Sequence, residues 1–163
     1  MNKLLALMTV ATWLSACGNG AEPPIGLGQA IRHDDFAYSI GRIERTDRIG
    51  PLRPKGQFWI TTFRVENQAK RVNHAWTNAT AYVTDGRGRI YENQPAAQQQ
   101  LNRQQPFGWA NQYVTPAGRT DSTRLVFDLP KSVQQPYARV RGETLMGDVF
   151  DGGQFERAKI RLF

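Results

Sequence analysis

The sequence predicts an all-β protein, a sandwich of about seven strands. Three observations carry that reading. Apolar residues recur at every second position in short runs, which places them on one face of a strand. Gly, Pro, Asn and Asp separate the runs, and these are the residues of turns. From Ile25 onward no long stretch carries apolar residues at helical spacing. The 163 residues suit one ordinary domain. With 40% hydrophobic and 21% charged residues, the balance is that of a globular chain and not a disordered one.

The elements follow in order. Gln29 to Ile31 opens as a short strand. Phe36, Tyr38 and Ile40 alternate with Ala37 and Ser39, and Gly41 marks a bulge because Ile43 falls out of phase. Arg48 to Gly56 is a loop with two prolines. Gln57 to Asn67 is the clearest strand. It carries Trp59, Thr61, Phe63 and Val65 on one side and Phe58, Ile60, Thr62 and Arg64 on the other. Apolar residues on both sides predict a central strand, covered at its start and solvated at its end. After a turn at Asn67 to Arg71, Trp76 to Thr84 resumes β structure with Ala79, Ala81 and Val83 inward. Asn78-Ala79-Thr80 matches a glycosylation sequon but reads as strand sequence. Asp85-Gly86-Arg87-Gly88 is a tight turn, and Ile90 and Tyr91 begin the return.

Gln94 to Tyr113 is rich in Gln and poor in apolar residues. One or two helical turns are expected over Ala96 to Gln104, because a bare loop of this length is uncommon. Thr115 to Gly118 turns again. Thr123, Leu125, Phe127 and Leu129 alternate and stop at Pro130. Tyr137 to Arg141 is a short strand and Gly142 to Gly153 a loop. Phe155 to Phe163 closes the fold with Ala158, Ile160 and Leu162 inward.

Ahead of this body lies a leader. Met1-Asn2-Lys3 is a short positive start, and Leu4 to Ala16 is apolar apart from Thr9, Thr12 and Ser15. The run is too short to span a bilayer as a helix and fits a secretory signal. It closes on Leu14-Ser15-Ala16-Cys17, and Cys17 is the one cysteine of the chain. These four residues resemble the lipobox of bacterial lipoproteins. The resemblance implies cleavage before Cys17 and acylation of that residue, a stable anchor because two or more acyl chains hold a protein where one holds it marginally. A simple secreted product, or a buried thiol in an uncleaved N terminus, are the competing readings. Residues 1–16 are then the leader, 17–28 the acylated cysteine and a flexible tether, and 29–163 the sandwich domain. Gly18, not Asp, follows the cysteine. In an organism with two membranes, the sorting rule of enteric bacteria then places the anchor in the outer membrane, facing the periplasm.

The order of three further motifs resembles an immunoglobulin-like domain of unknown function found in bacterial lipoproteins and related to the secreted immunoprotective extracellular proteins. Gly56 to Ile60 leads into Phe63-Arg64-Val65-Glu66-Asn67. Tyr82 to Tyr91 forms an Asp-Gly hairpin. Pro116-Ala117-Gly118 precedes Leu125-Val126-Phe127-Asp128-Leu129-Pro130. The resemblance implies an immunoglobulin-like sandwich of the cell envelope and no catalytic residues. The long Gln-rich insert departs from the family pattern.

Candidate chemistry is sparse. One cysteine excludes an intrachain disulfide and a Cys-rich zinc site. Only two histidines are present, His33 beside Asp34 and Asp35, and His74; a metal site needs both to converge with a carboxylate, so no metal and no cofactor is expected. Neither a Gly-x-Ser-x-Gly elbow nor a phosphate-binding Gly-rich loop occurs, and no enzyme activity is expected.

The net charge of +7 favours anionic partners. If Ile160 and Leu162 point inward, Arg157, Lys159 and Arg161 point outward; Val140 inward likewise turns Arg139 and Arg141 outward. Paired, the two strands gather five cations on one face. Like charges so close repel, so compensation is expected, with Glu143 and Glu156 the nearest acids in sequence. The face is either a dispersed, edge-protecting set of charges or a docking face for an acidic lipid head group, an acidic polymer or a protein of the envelope. Base-stacking aromatics are not expected among these cations, and nucleic acid is not an expected partner. Phe107, Trp109 and Tyr113 are either binding anchors on the Gln-rich loop or pins that hold the loop to the sandwich. The expected role is a lipid-anchored, non-enzymatic binding module. A small-ligand carrier or chaperone-like accessory with a cavity between the sheets is the alternative.

Overall fold

The computed structural model describes residues 23–103, 112–141 and 158–163. Ten strands form among the described residues: β1 (Ala30–His33), β2 (Phe36–Thr46), β3 (Gln57–Asn67), β4 (His74–Thr77), β5 (Ala81–Thr84), β6 (Ile90–Tyr91), β7 (Gln112–Thr115), β8 (Thr120–Leu129), β9 (Tyr137–Val140) and β10 (Ile160–Arg161). A helix, α1, spans Pro95–Arg103, and a single 3₁₀ turn spans Asn78–Thr80. One sheet has the order β1-β2-β3-β8 and the other β10-β9-β5-β6, while β4 and β7 pair apart from both. The two large sheets close face to face as an immunoglobulin-like β-sandwich.

The long strands follow their sequence pattern. In β3, Trp59, Thr61, Phe63 and Val65 point between the sheets and are buried. β3 lies between β2 and β8, with its register against β8 running from Gln57 opposite Leu129 to Glu66 opposite Thr120. The β2 bulge sits at Gly41 and Arg42, because Ile40 faces Phe63 but Ile43 faces Thr61. The extra residue restores Ile43 to the inner face, where it packs on the core. Gly56 is required at the entry to β3: a Cβ there would fall onto the Leu129 carbonyl. Its N–H and that of Lys55 donate to the Asp128 carboxylate at 2.9 and 2.7 Å.

The core between the sheets joins Tyr38, Trp59, Phe63, Leu125, Phe127 and Leu129 of one sheet to Ala81, Val83, Ala138, Val140 and Ile160 of the other, with Leu162 beside them. A smaller cluster lies on the opposite side of the first sheet. There α1 lays Ala97 and Leu101 over Phe58, Ile60 and Val126. This explains why β3 is apolar on both sides at its start: the helix covers Phe58 and Ile60, while Arg64 is exposed. Burying each such side chain stabilises by roughly 1.5–3 kcal/mol.

Three readings of the sequence are corrected. Trp76 to Thr84 is not one strand. Thr77 accepts from the Ala79 N–H and Thr80 from the Thr77 N–H, a reciprocal cap that turns the chain through Asn78–Thr80 and passes it from the β4–β7 pair into the second sheet. Ala79 is therefore exposed, not inward. Gln112–Thr115 is a strand and not loop, because it pairs with β4 from His74 opposite Thr115 to Thr77 opposite Gln112. The strand count exceeds seven for the same reasons. The helix expected at Ala96 to Gln104 forms at Pro95–Arg103, with Pro95 at its first position. Gly142 to Gly153 lies outside the described residues.

Candidate functional site

The outer face of the second sheet is set by parity. Ala81 and Val83 of β5 and Ala138 and Val140 of β9 enter the core, so Tyr82, Thr84, Tyr137, Arg139 and Arg141 point away from it. β9 pairs with β5 on one side, Tyr82 opposite Arg139, and with β10 on the other, Arg161 opposite Tyr137. Ile160 and Leu162 are buried, which turns Lys159, Arg161 and Phe163 to the same outer face. The structure thus brings together four of the five cations. Arg157 lies outside the described residues, as do Glu143 and Glu156.

Among the described residues, compensation comes from Glu92 and from aromatic rings. Glu92 receives both Arg141 Nη atoms, at 2.6 and 3.0 Å, a two-point ion pair, and the Arg141 guanidinium lies 4.3 Å from the Tyr82 ring centre. Arg139 donates Nε to the Thr84 hydroxyl at 3.2 Å. Lys159 Nζ sits 4.6 Å over the Tyr137 ring and the Arg161 guanidinium 5.7 Å from that of Phe163. Aromatic rings do stand among the cations, contrary to expectation. The signal was legible in part: inward Ala81 and Val83 already force Tyr82 outward. That β5 lies beside β9 was not legible.

Tyr82, Thr84, Ile90, Tyr137, Arg139 and Lys159 line an open depression of about 460 Å³, closed at one end by the turn at Asp85. This turn is wider than Asp-Gly implies. Thr84 pairs with Ile90, and it is Gly88, not Gly86, that takes the positive φ, 78°. The Asp85 carboxylate accepts from the Arg87 and Arg89 N–H groups at 2.9 and 3.0 Å, from Arg89 Nε at 2.7 Å and from the Tyr91 hydroxyl at 3.1 Å. Removal from water pushes this carboxyl up, but the Arg89 side chain, the two N–H groups and the Tyr91 hydroxyl outweigh it and hold it at about 2. Burial raises the Tyr91 phenol, helped by Asp85, and Asp85 raises Arg89.

The chain enters the fold beside this face. The Ile25 N–H donates to the Lys159 carbonyl at 3.0 Å and the Arg161 N–H donates to the Ile25 carbonyl at 2.8 Å, a parallel bridge that extends the edge of β10. Cys17 itself lies outside the described residues.

The other candidates are placed as follows. Tyr113 belongs to β7. Its ring stacks on Trp76 at 4.1 Å and its hydroxyl shares a 2.9 Å hydrogen bond with Thr123, so it pins β7 to the sandwich. Phe107 and Trp109 lie outside the described residues. His74 is buried, stacked on Phe36 at 3.9 Å and bonded to the Tyr38 hydroxyl at 2.7 Å. His33 is the cross-strand partner of that same Phe36. Among the described residues, no group of three His, Cys, Asp or Glu side chains is placed to share a metal ion. No described helix is long and apolar enough to cross a membrane. A second depression, about 650 Å³, opens between the sheet ends near Lys55, Tyr91, Gln94, Asp128 and Lys131.

The fold is shared with solved bacterial proteins. The yjhA protein from Bacillus subtilis matches 85% of this chain over 99% of its own, with a TM-score of 0.58 and 7% identity. A conserved hypothetical protein from Bacillus anthracis matches 71% of this chain over 89% of its own, at 0.57 and 12%. MPT63, a secreted protein from Mycobacterium tuberculosis, matches 76% over 93%, at 0.52 and 15%. At these identities the likeness is one of fold. No family model matches the chain, and no curated protein matches it.

Proposed function

We propose that this chain is a non-enzymatic binding module of the bacterial cell envelope, lipid-anchored through Cys17, which presents the outer face of its second sheet to an anionic envelope component. The observation that carries the binding role is the gathering of Arg139, Arg141, Lys159 and Arg161 with Tyr82, Tyr137 and Phe163 on one face. The rings of Tyr137 and Phe163 hold Lys159 and Arg161 in place without neutralising them, whereas Arg141 is paired with Glu92. The space between the sheets is filled by Tyr38, Trp59, Phe63 and Phe127, each at most 5% exposed, which favours a surface binder over a carrier with an internal cavity. Support for an extracytoplasmic location comes from the leader ending at Cys17 and from the secreted MPT63, which has the same fold.

Two experiments test it. Cys17→Ser releases the protein from membranes and abolishes incorporation of labelled fatty acid; continued labelling of the variant refutes the anchor. Crosslinking in intact cells, with and without Lys159→Gln and Arg161→Gln, tests the face. Loss of the captured component on substitution supports it, and unchanged capture with unchanged salt sensitivity removes it.

The second depression favours one other reading, a small-ligand carrier, since its volume falls in the range of ligand sites. Its groups are partly committed: Asp128 to two backbone N–H groups, and Lys131 to Asp47 at 3.6 Å.

A further inference from the structure

We infer that the basic and aromatic face lies against the bilayer that holds the anchor, with its cations on anionic phospholipid head groups. This rests on the proposed acylation of Cys17. Three observations point to a bilayer and not to a soluble polymer.

The first is where the tether arrives. The backbone groups that receive Ile25 belong to Lys159 and Arg161, so the chain leaves the fold alongside the cations and not from the far sheet. Eight residue steps separate Cys17 from Ile25. Even fully extended, they reach about 29 Å. The face is held within a few Debye lengths of the lipid surface at all times, so weak contacts suffice.

The second is composition. Ile90 and Phe163, at opposite edges of the sheet, are 58% and 59% exposed. Between them stand Tyr82 and Tyr137. Apolar tips, tyrosines and Lys or Arg side chains together make up the chemistry of the membrane interface, where rings sit at head-group level and cations reach phosphate. An acidic polymer in water rewards the cations but not the exposed apolar tips.

The third is charge. Among the described residues Lys159 and Arg161 have no carboxylate partner, whereas Arg141 is paired with Glu92. These two cations beside the tether, which no described carboxylate pairs, meet an anionic head-group layer, each strengthening docking by roughly fivefold.

The test uses the full chain as processed by the cell that makes it, reconstituted into phosphatidylcholine vesicles with and without phosphatidylglycerol. A single labelled thiol is introduced by Ile90→Cys on this face or by Arg64→Cys on the outer face of the first sheet. Quenching by a head-group nitroxide reports proximity to lipid. The expected result is quenching several-fold greater at position 90 than at 64, only when phosphatidylglycerol is present. Docking is expected to weaken about fivefold for each of Lys159→Gln and Arg161→Gln, and to be lost in molar salt. Equal quenching at both positions in protein that floats with the vesicles overturns the inference and leaves the proposed function standing. Failure to float overturns both. Protection of the position 90 label by soluble polyglutamate, but not by anionic vesicles, assigns the face to a polymer and overturns the bilayer.

Discussion

The side chain of Gln98 accepts the backbone N–H of Val126 at 3.1 Å, standing in for a neighbouring strand at the free edge of β8. Its amide nitrogen donates to the Arg124 carbonyl at 2.7 Å and to Asn102 at 2.8 Å, and Asn93 donates back to its oxygen at 2.7 Å. The residue is 1% exposed. One glutamine of a Gln-rich segment thus satisfies part of an edge that would otherwise invite pairing with another chain. Gln98→Leu keeps the volume but strands the Val126 N–H and the Arg124 carbonyl. A loss of about 2–4 kcal/mol in urea denaturation is expected, with faster hydrogen exchange at Val126. An unchanged midpoint means that the edge is satisfied without Gln98.

Asp85 makes the second prediction, in acid. Its carboxyl lies at about 2 in the fold against an ordinary 3.8. A depressed carboxyl contributes stability that is complete above the unfolded value and is lost as pH falls through the folded one, here between about pH 4 and pH 2. Asp85→Asn is expected to be less stable than the parent at neutral pH, with the two unfolding curves converging as pH approaches 2. Thermal unfolding from pH 2 to 6 reads this directly, and parallel curves count against the hub at Asp85.

Tyr113 supplies a third. Its ring stacks on the buried Trp76, whose indole N–H donates to the Thr115 hydroxyl at 2.8 Å. If Tyr113 pins β7, Tyr113→Phe costs about 1 kcal/mol through the lost bond to Thr123, and Tyr113→Ala about 2–3 kcal/mol. Chemical denaturation of both variants checks it. A ring that served only a partner would leave stability unchanged on removal.

The local features were legible. A period of two identified β3 to the residue, the phase slip at Gly41 located the bulge, and the Gln-rich segment formed a helix within one residue of the expected bounds. These are properties of neighbours in the chain, and alternation or its failure registers them. The β4–β5 break was harder, since Thr77 and Thr80 look like strand residues until their hydroxyls are seen to cap a turn.

Sequence alone determined which side chains the regularly alternating strands present outward, and so predicted that Arg139 and Arg141 share one side of one strand while Lys159 and Arg161 share one side of another. Tertiary structure decided which strands lie together: β9 between β5 and β10, Tyr82 beside Arg141, Glu92 across from it, and Ile25 on the outer edge. The reason is that side-chain alternation is local to a strand, whereas pairing is settled by burial of the whole inner surface among residues far apart in the chain.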